Sequence, residues 1–188
     1  MQERIRYTST ELNHAGDDAV AAFGRLTAGQ LNWRPVENSW SVAQCLDHLI
    51  RTNHEFDAEF ERLASGTRKN SLWERISPFT GLGGRFLIKE LTEDSKKTKA
   101  PSPKLVPPSD IDADIVEQFR EDIRRVAKQV EACGGVDLAK TVVTSPFLKL
   151  LTYRLDDAFT VIVEHTKRHI RQAKRVMQNE NFPGGDGV

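Results

Sequence analysis

The sequence predicts an all-α protein, a four-helix bundle with long crossover connections. Three observations carry that expectation. Four stretches repeat apolar residues at three- and four-residue steps, the spacing that lines one side of a helix. No strong series of alternating apolar and polar residues argues for a sheet. Two of the connections are long, which suits helices that cross over before packing against one another.

The first helix is expected over residues 9–25, where Leu12, Ala15, Val20, Ala21 and Phe23 give a loose apolar side. The second begins after "ENSW". Ser41 can accept from the first-turn amides and Gln44, three residues on, can bond back, which forms a capping box. Val42, Leu46, Leu49, Asn53, Phe56, Phe60 and Leu63 then continue its stripe toward Gly66. The third opens at Ser109 or Asp110, runs along Ile111, Ile115, Phe119, Ile123, Val126 and Val130, and stops at "CGG", 133–135. The fourth covers residues 152–179 and breaks at "FPGG".

Residues 66–108 have a different character, with nine Lys/Arg against four Asp/Glu and five of the eight prolines. Short helices are expected at 71–76 and 82–91, and an extended, irregular connection at 94–108. The connection 135–150 has room for a short strand-like piece. Residues 1–180 are read as one domain and 181–188 as a loose tail.

Lys+Arg and Asp+Glu both total 27, so the chain carries no formal net charge. That disfavours a nucleic-acid partner, which calls for a basic excess. No apolar run is long enough for a membrane span and the N-terminus lacks the apolar core of a signal peptide. Cys45 and Cys133 are too few for a disulfide framework. The expectation is a cytoplasmic protein with two free thiols and no membrane partner.

Two of the five histidines, His165 and His169, stand one turn apart in "VIVEHTKRHIRQAKRV". With Leu155 at zero on a helical wheel they fall at about 280° and about 320°, flanking the apolar side and away from the charges. Imidazoles at i and i+4 can converge on one ion, and a third ligand must then come from elsewhere. His48 and His54 on the second helix flank its stripe on opposite sides, and the wheel does not choose between them. His14 reads as a surface or packing residue.

The segment "LNWRPVENSWSVAQCLDHLIRTNHEF", 31–56, and the later "HTKRHIRQ" resemble the DinB/YfiT-like superfamily. The first supplies Trp33, Pro35, Trp40, Ser41 and "DHL" at 47–49; the second supplies His165, His169 and Gln172. The resemblance implies a bundle of that family's type, a homodimer, and three histidines on one divalent ion. Carried onto the matching positions, the ligands are His48, His165 and His169, and His54 becomes a helix-flank residue. The basic, proline-rich insert departs from the family's pattern.

Three neutral imidazoles leave an ion's charge uncompensated and a coordination position open, an arrangement suited to catalysis. Such an ion can acidify water or hold a low-molecular-weight thiol as its thiolate. The function expected is therefore a metal-dependent hydrolase or thiol S-transferase acting on a small molecule. The alternative is a non-catalytic, stress-related bundle with a structural or vestigial metal. Zinc or nickel is the expected ion, with iron or manganese behind them. No catalytic residue is assigned: Glu164 and Asp47 read as surface carboxylates, Gln172 as a partner to His169 or plain surface, Asn53 as a satisfied buried amide. "GLGGR" at 81–85 lacks the Lys-Ser/Thr of a phosphate loop, and the basic stretch 96–104 reads as a solvated loop.

Overall fold

A computed structural model describes residues 1–93 and 102–184. The chain is mostly helical. In order come α1 (Gln2–Phe23), α2 (Ala28–Asn32), α3 (Val42–His54), α4 (Asp57–Ala64), α5 (Leu72–Ile76), α6 (Gly83–Thr92), a 3-10 turn (Pro103–Leu105), α7 (Ile115–Ala132), a second 3-10 turn (Cys133–Gly135), β1 (Val142–Thr144), β2 (Thr152–Arg154) and α8 (Leu155–Met177). α1 and α3 each lie against both α7 and α8, and α6 packs on α8 and β2. Among the described residues, no helix is long and apolar enough to cross a membrane.

The core follows from the apolar stripes. Ile5, Leu12, Ala15, Ala19 and Phe23 of α1 meet Ile115, Phe119, Ile123, Val126 and Val130 of α7, and Leu155, Phe159, Ile162, Ile170 and Ala173 of α8 complete the same cluster. Burial of these faces removes apolar surface from water, the main term holding the helices together. The capping box of α3 is formed: Ser41 N–H donates to Gln44 Oε1 at 3.0 Å, and Gln44 N–H donates to Ser41 Oγ at 3.1 Å.

Several boundaries correct the sequence reading. The first helix starts at Gln2, seven residues before its expected start, because Ile5 is core and Thr8 and Ser9 are buried with it. The second helix is two. The ladder tightens where Glu55 N–H donates to the Thr52 carbonyl and Phe56 N–H to the Asn53 carbonyl, and α4 restarts at Asp57. Tightening by one turn rotates the stripe only slightly, so Phe56, Phe60 and Leu63 stay buried and the periodicity runs through the break unmarked. The third helix starts at Ile115, past Ser109 and Asp110, because Ile111 is bonded through both backbone groups to the Asn32 side chain.

The expected start of the fourth helix at residue 152 is also corrected, and the strand-like piece expected at 135–150 is present as β1. Residues 152–154 form β2 and pair antiparallel with β1, in the register Val142↔Arg154, Val143↔Tyr153 and Thr144↔Thr152. Tyr153 and Val143 are both buried, and cross-strand packing of such side chains outweighs their weak helical pattern. The short helices expected at 71–76 and 82–91 are present as α5 and α6. Gly83 and Gly84 let α6 approach closely: a Cβ on Gly83 would meet the Thr152 carbonyl oxygen at 2.7 Å, and one on Gly84 would meet Asp157 Cβ at 2.5 Å.

The irregular connection is seen from residue 102 onward. Its first part, 94–101, and with it most of the basic stretch 96–104, lies outside the described residues, as do 185–188 of the tail. The start of the tail is attached: Phe182 packs edge-on against Trp33 at 5.5 Å between ring centroids, and the Pro183 carbonyl accepts from Gln30 Nε2.

Candidate metal centre

α3 and α8 pack side by side, and this brings His48 of one against His165 and His169 of the other. The ring centroids stand 5.3 Å apart for His48–His165, 4.6 Å for His48–His169 and 4.6 Å for His165–His169. One nitrogen of each ring lies within 4.8 Å of the others. Ligands on a tetrahedral ion at about 2.0–2.1 Å stand about 3.4 Å apart, so drawing the rings in by about an ångström completes the set.

His48 does not sit on the flank of its helix as the wheel reads it. It is 4% exposed, covered by α8, Trp40 and the chain around Leu105. Its Nδ1 donates to the Leu105 carbonyl at 2.8 Å. A carbonyl only accepts, so the proton is on Nδ1 and the Nε2 lone pair is left for a ligand. His169 Nδ1 is buried with no hydrogen-bond partner, a costly state for a polar atom unless something else binds it. Gln172, three residues on, lies near enough to His169 to oppose the fall in its pKa, the position of a partner that can orient a ligand ring.

Burial holds all three imidazoles neutral, and at His165 and His169 the charge the neighbouring rings would carry adds to it. His165 is pushed down to about 3, His169 well below the ordinary histidine value, and His48 down by burial against the opposing Leu105 bond and Asp47 charge. Arg168, whose Nη1 donates to the Glu90 carbonyl at 2.7 Å, adds positive field at both α8 histidines. Neutral imidazole is the form that binds a metal. The orphaned nitrogen, the fixed tautomer and the neutral rings together fit a divalent ion.

The other residues singled out in the sequence lie apart from this cluster. His54 is exposed and donates from Nδ1 to Asp57 at 2.7 Å, and His14 stands on the surface 4.0 Å from Glu11. Asn53 is a satisfied buried amide, donating to Asp122. Asp47 pairs with Arg51, and Glu164 is half-buried 3.9 Å from Lys167 Nζ. Both cysteines are buried, and burial pushes the Cys133 thiol up to about 11 and Cys45 higher still, which makes them poor nucleophiles.

Two participants escape sequence reasoning. Trp40, marked in the sequence only as part of the family resemblance, stacks on His169 at 5.6 Å and lies 4.7 Å from His48. Its position just before the α3 cap was the available signal. Leu105 acts through its backbone, so no side-chain pattern could mark it.

A family model described as the DinB superfamily matches residues 11–173. The chain belongs to the DinB superfamily. The match runs from the middle of α1 through most of α8 and so includes all three histidines of this DinB chain. No curated protein and no solved structure matches it.

Proposed function

We propose that the histidine trio binds one divalent metal ion and that the protein is a metal-dependent enzyme, a hydrolase or thiol S-transferase. The observation that carries this reading is a ligand set of three neutral nitrogens without a carboxylate. When bound, the ion supplies a Lewis acid that lowers the pKa of water or of a small thiol. The chain's own part is to present the lone pairs. The Leu105 carbonyl keeps the His48 proton on Nδ1, Gln172 orients His169, and burial keeps the rings unprotonated. The excess positive charge, with Arg168 close by, favours an anionic fourth ligand: hydroxide, thiolate or a substrate carboxylate. Zinc or nickel suits the all-nitrogen set, with iron next, whereas manganese prefers oxygen donors.

The packing of α1, α3, α7 and α8 supports reading the fold as the family's four-helix bundle, with residues 1–180 as one domain. A homodimer in the cytoplasm completes the proposal. Leu72, Ile76, Leu82 and Phe86 are exposed apolar side chains in and beside α5 and α6 that a second copy could cover, and light scattering at two concentrations tests it.

Elemental analysis tests the metal reading. About one metal per chain is expected in the purified protein, and the His48→Ala and His165→Ala variants should lose it while staying folded. A panel of ester, amide and thiol-acceptor substrates, with and without chelator, tests the enzymatic part.

One observation favours the non-catalytic alternative, a stress-related bundle with a structural or vestigial metal. His48 and His169 are only 4% and 9% exposed, which restricts a substrate's approach to the cluster. An inactive substrate panel combined with loss of folding in the histidine variants would select that alternative.

A further inference from the structure

The chain entering α7 is clamped to α3, which presents His48, and to α2. The Leu105 carbonyl accepts from His48 Nδ1 at 2.8 Å. Three residues on, the Pro108 carbonyl accepts from Gln44 Nε2 at 2.9 Å. Three further on, Ile111 is held at both backbone groups: its carbonyl accepts from Asn32 Nδ2 at 2.8 Å and its N–H donates to Asn32 Oδ1 at 3.1 Å. Leu105 is 2% exposed and Pro107 is buried, while Pro103, Lys104, Val106 and Pro108 face solvent. The segment is therefore held by these hydrogen bonds and by the burial of Leu105 and Pro107. Pro103, Pro107 and Pro108 fix φ and remove amide donors, so the segment's own backbone structure is one 3-10 turn, in which Leu105 N–H donates to the Ser102 carbonyl and Val106 N–H to the Pro103 carbonyl.

We propose that residues 102–111 are a strap whose seating sets the ligand form of His48, so that metal binding and strap seating are coupled. The proposal rests on reading the histidine trio as a metal site. While the strap is seated, the Leu105 carbonyl selects the Nδ1–H tautomer and fixes the ring. When it lifts, His48 loses both constraints, and the ion meets a ring of mixed tautomer and free rotation. Coupling is reciprocal: whatever factor the seated strap adds to metal affinity, bound metal adds to the seating of the strap. Partners that orient a ligand ring are worth about 10- to 100-fold in metal affinity.

Two variants unseat the strap without touching an imidazole. Gln44→Glu keeps an acceptor for the Ser41 amide, and so the α3 cap, but turns a carboxylate oxygen toward the Pro108 carbonyl. Asn32→Ala removes both bonds to Ile111. Dissociation constants for Zn²⁺ and Ni²⁺ are measured by competition with a chromophoric chelator. Both variants should bind about 10- to 100-fold more weakly while retaining wild-type circular dichroism. Hydrogen exchange over 102–111 in the unaltered chain, which needs no variant, should slow when either ion is added. Nitrogen-15 spectra of the metal-free protein should show His48 protonated on Nδ1, and mixed tautomers in the variants. Unchanged affinity in both variants, with exchange over 102–111 indifferent to metal, overturns the strap and leaves the metal site standing. Failure of the unaltered chain to bind either ion overturns the metal reading and the coupling together.

Discussion

Asn53 at the end of α3 donates its Nδ2 to Asp122 Oδ2 on α7 at 2.7 Å, at the point where the helix containing it breaks. The carboxylate side chain is 4% exposed, and its other oxygen accepts from Arg125 Nη2 at 2.5 Å. Arg125 also pairs with Asp57, the first residue of α4, which takes a second bond from Gln129 at 3.0 Å. Both sides of the break are thus tied to one helix. Asn53→Leu leaves a buried carboxylate oxygen without its donor and should cost about 1–3 kcal/mol. Urea unfolding reads this directly, and an unshifted midpoint would show that the contact is dispensable.

Gly84 supports a second prediction. A methyl there would fall 2.5 Å from Asp157 Cβ, an atom fixed to the backbone of α8, so one helix must move. Gly84→Ala should destabilise by about 1–3 kcal/mol, as overpacking does. It should leave the histidines in place, so the variant is expected to melt earlier yet keep its metal. A melting temperature equal to that of the wild type would mean α6 does not lie as close to α8 as described.

The buried histidines dictate a pH dependence for the metal-free protein. Unfolded, each ring takes up a proton near pH 6.5. Folded, His165 does so only at about 3, and His169 and His48 also below the ordinary value. Stability is therefore complete above pH 6.5 and falls as the pH drops below it, by about 1.4 kcal/mol per pH unit for each ring that stays neutral. Between pH 6.5 and 5 the carboxylates held low by their partners, Asp57 and Glu59, do not contribute, since their loss comes at lower pH. Urea midpoints taken in chelator from pH 7.5 to 5 should decline. A flat profile would contradict the buried, neutral trio.

Trp40 provides an optical check on the site. Its ring lies against two of the three imidazoles, whereas Trp33 packs on Phe182 and Trp73 donates to the Leu150 carbonyl. Adding Ni²⁺ should quench part of the tryptophan fluorescence, and Trp40→Phe should remove most of that quench with the other two tryptophans intact. Undiminished quenching in Trp40→Phe would place the ion elsewhere.

Adding metal should also raise the melting temperature of the wild-type chain, because a ligand that binds the folded state alone stabilises it by mass action. His169→Ala should abolish the rise. Thermal melts with and without Zn²⁺ check it, and equal gains in both proteins would place binding outside the trio.

Much of this was legible in the chain itself. Apolar spacing is local, so the stripes of α1, α3, α7 and α8 and the Ser41–Gln44 cap could be read directly. The pair His165 and His169 was equally visible, since one helical turn fixes their neighbourhood whatever the rest of the fold does. Tertiary structure decided the remainder. Only the packing of α8 on α3 turned His48 from a flank residue into a buried one, because burial depends on the facing element and not on the wheel. The break at Phe56, the strand at 152–154 and the late start of α7 came from partners on other elements: Asp122 for Asn53, β1 for β2, and Asn32 for Ile111. The Leu105 carbonyl left no trace in the sequence, since every residue carries one and only the folded chain determines which of them meets a histidine.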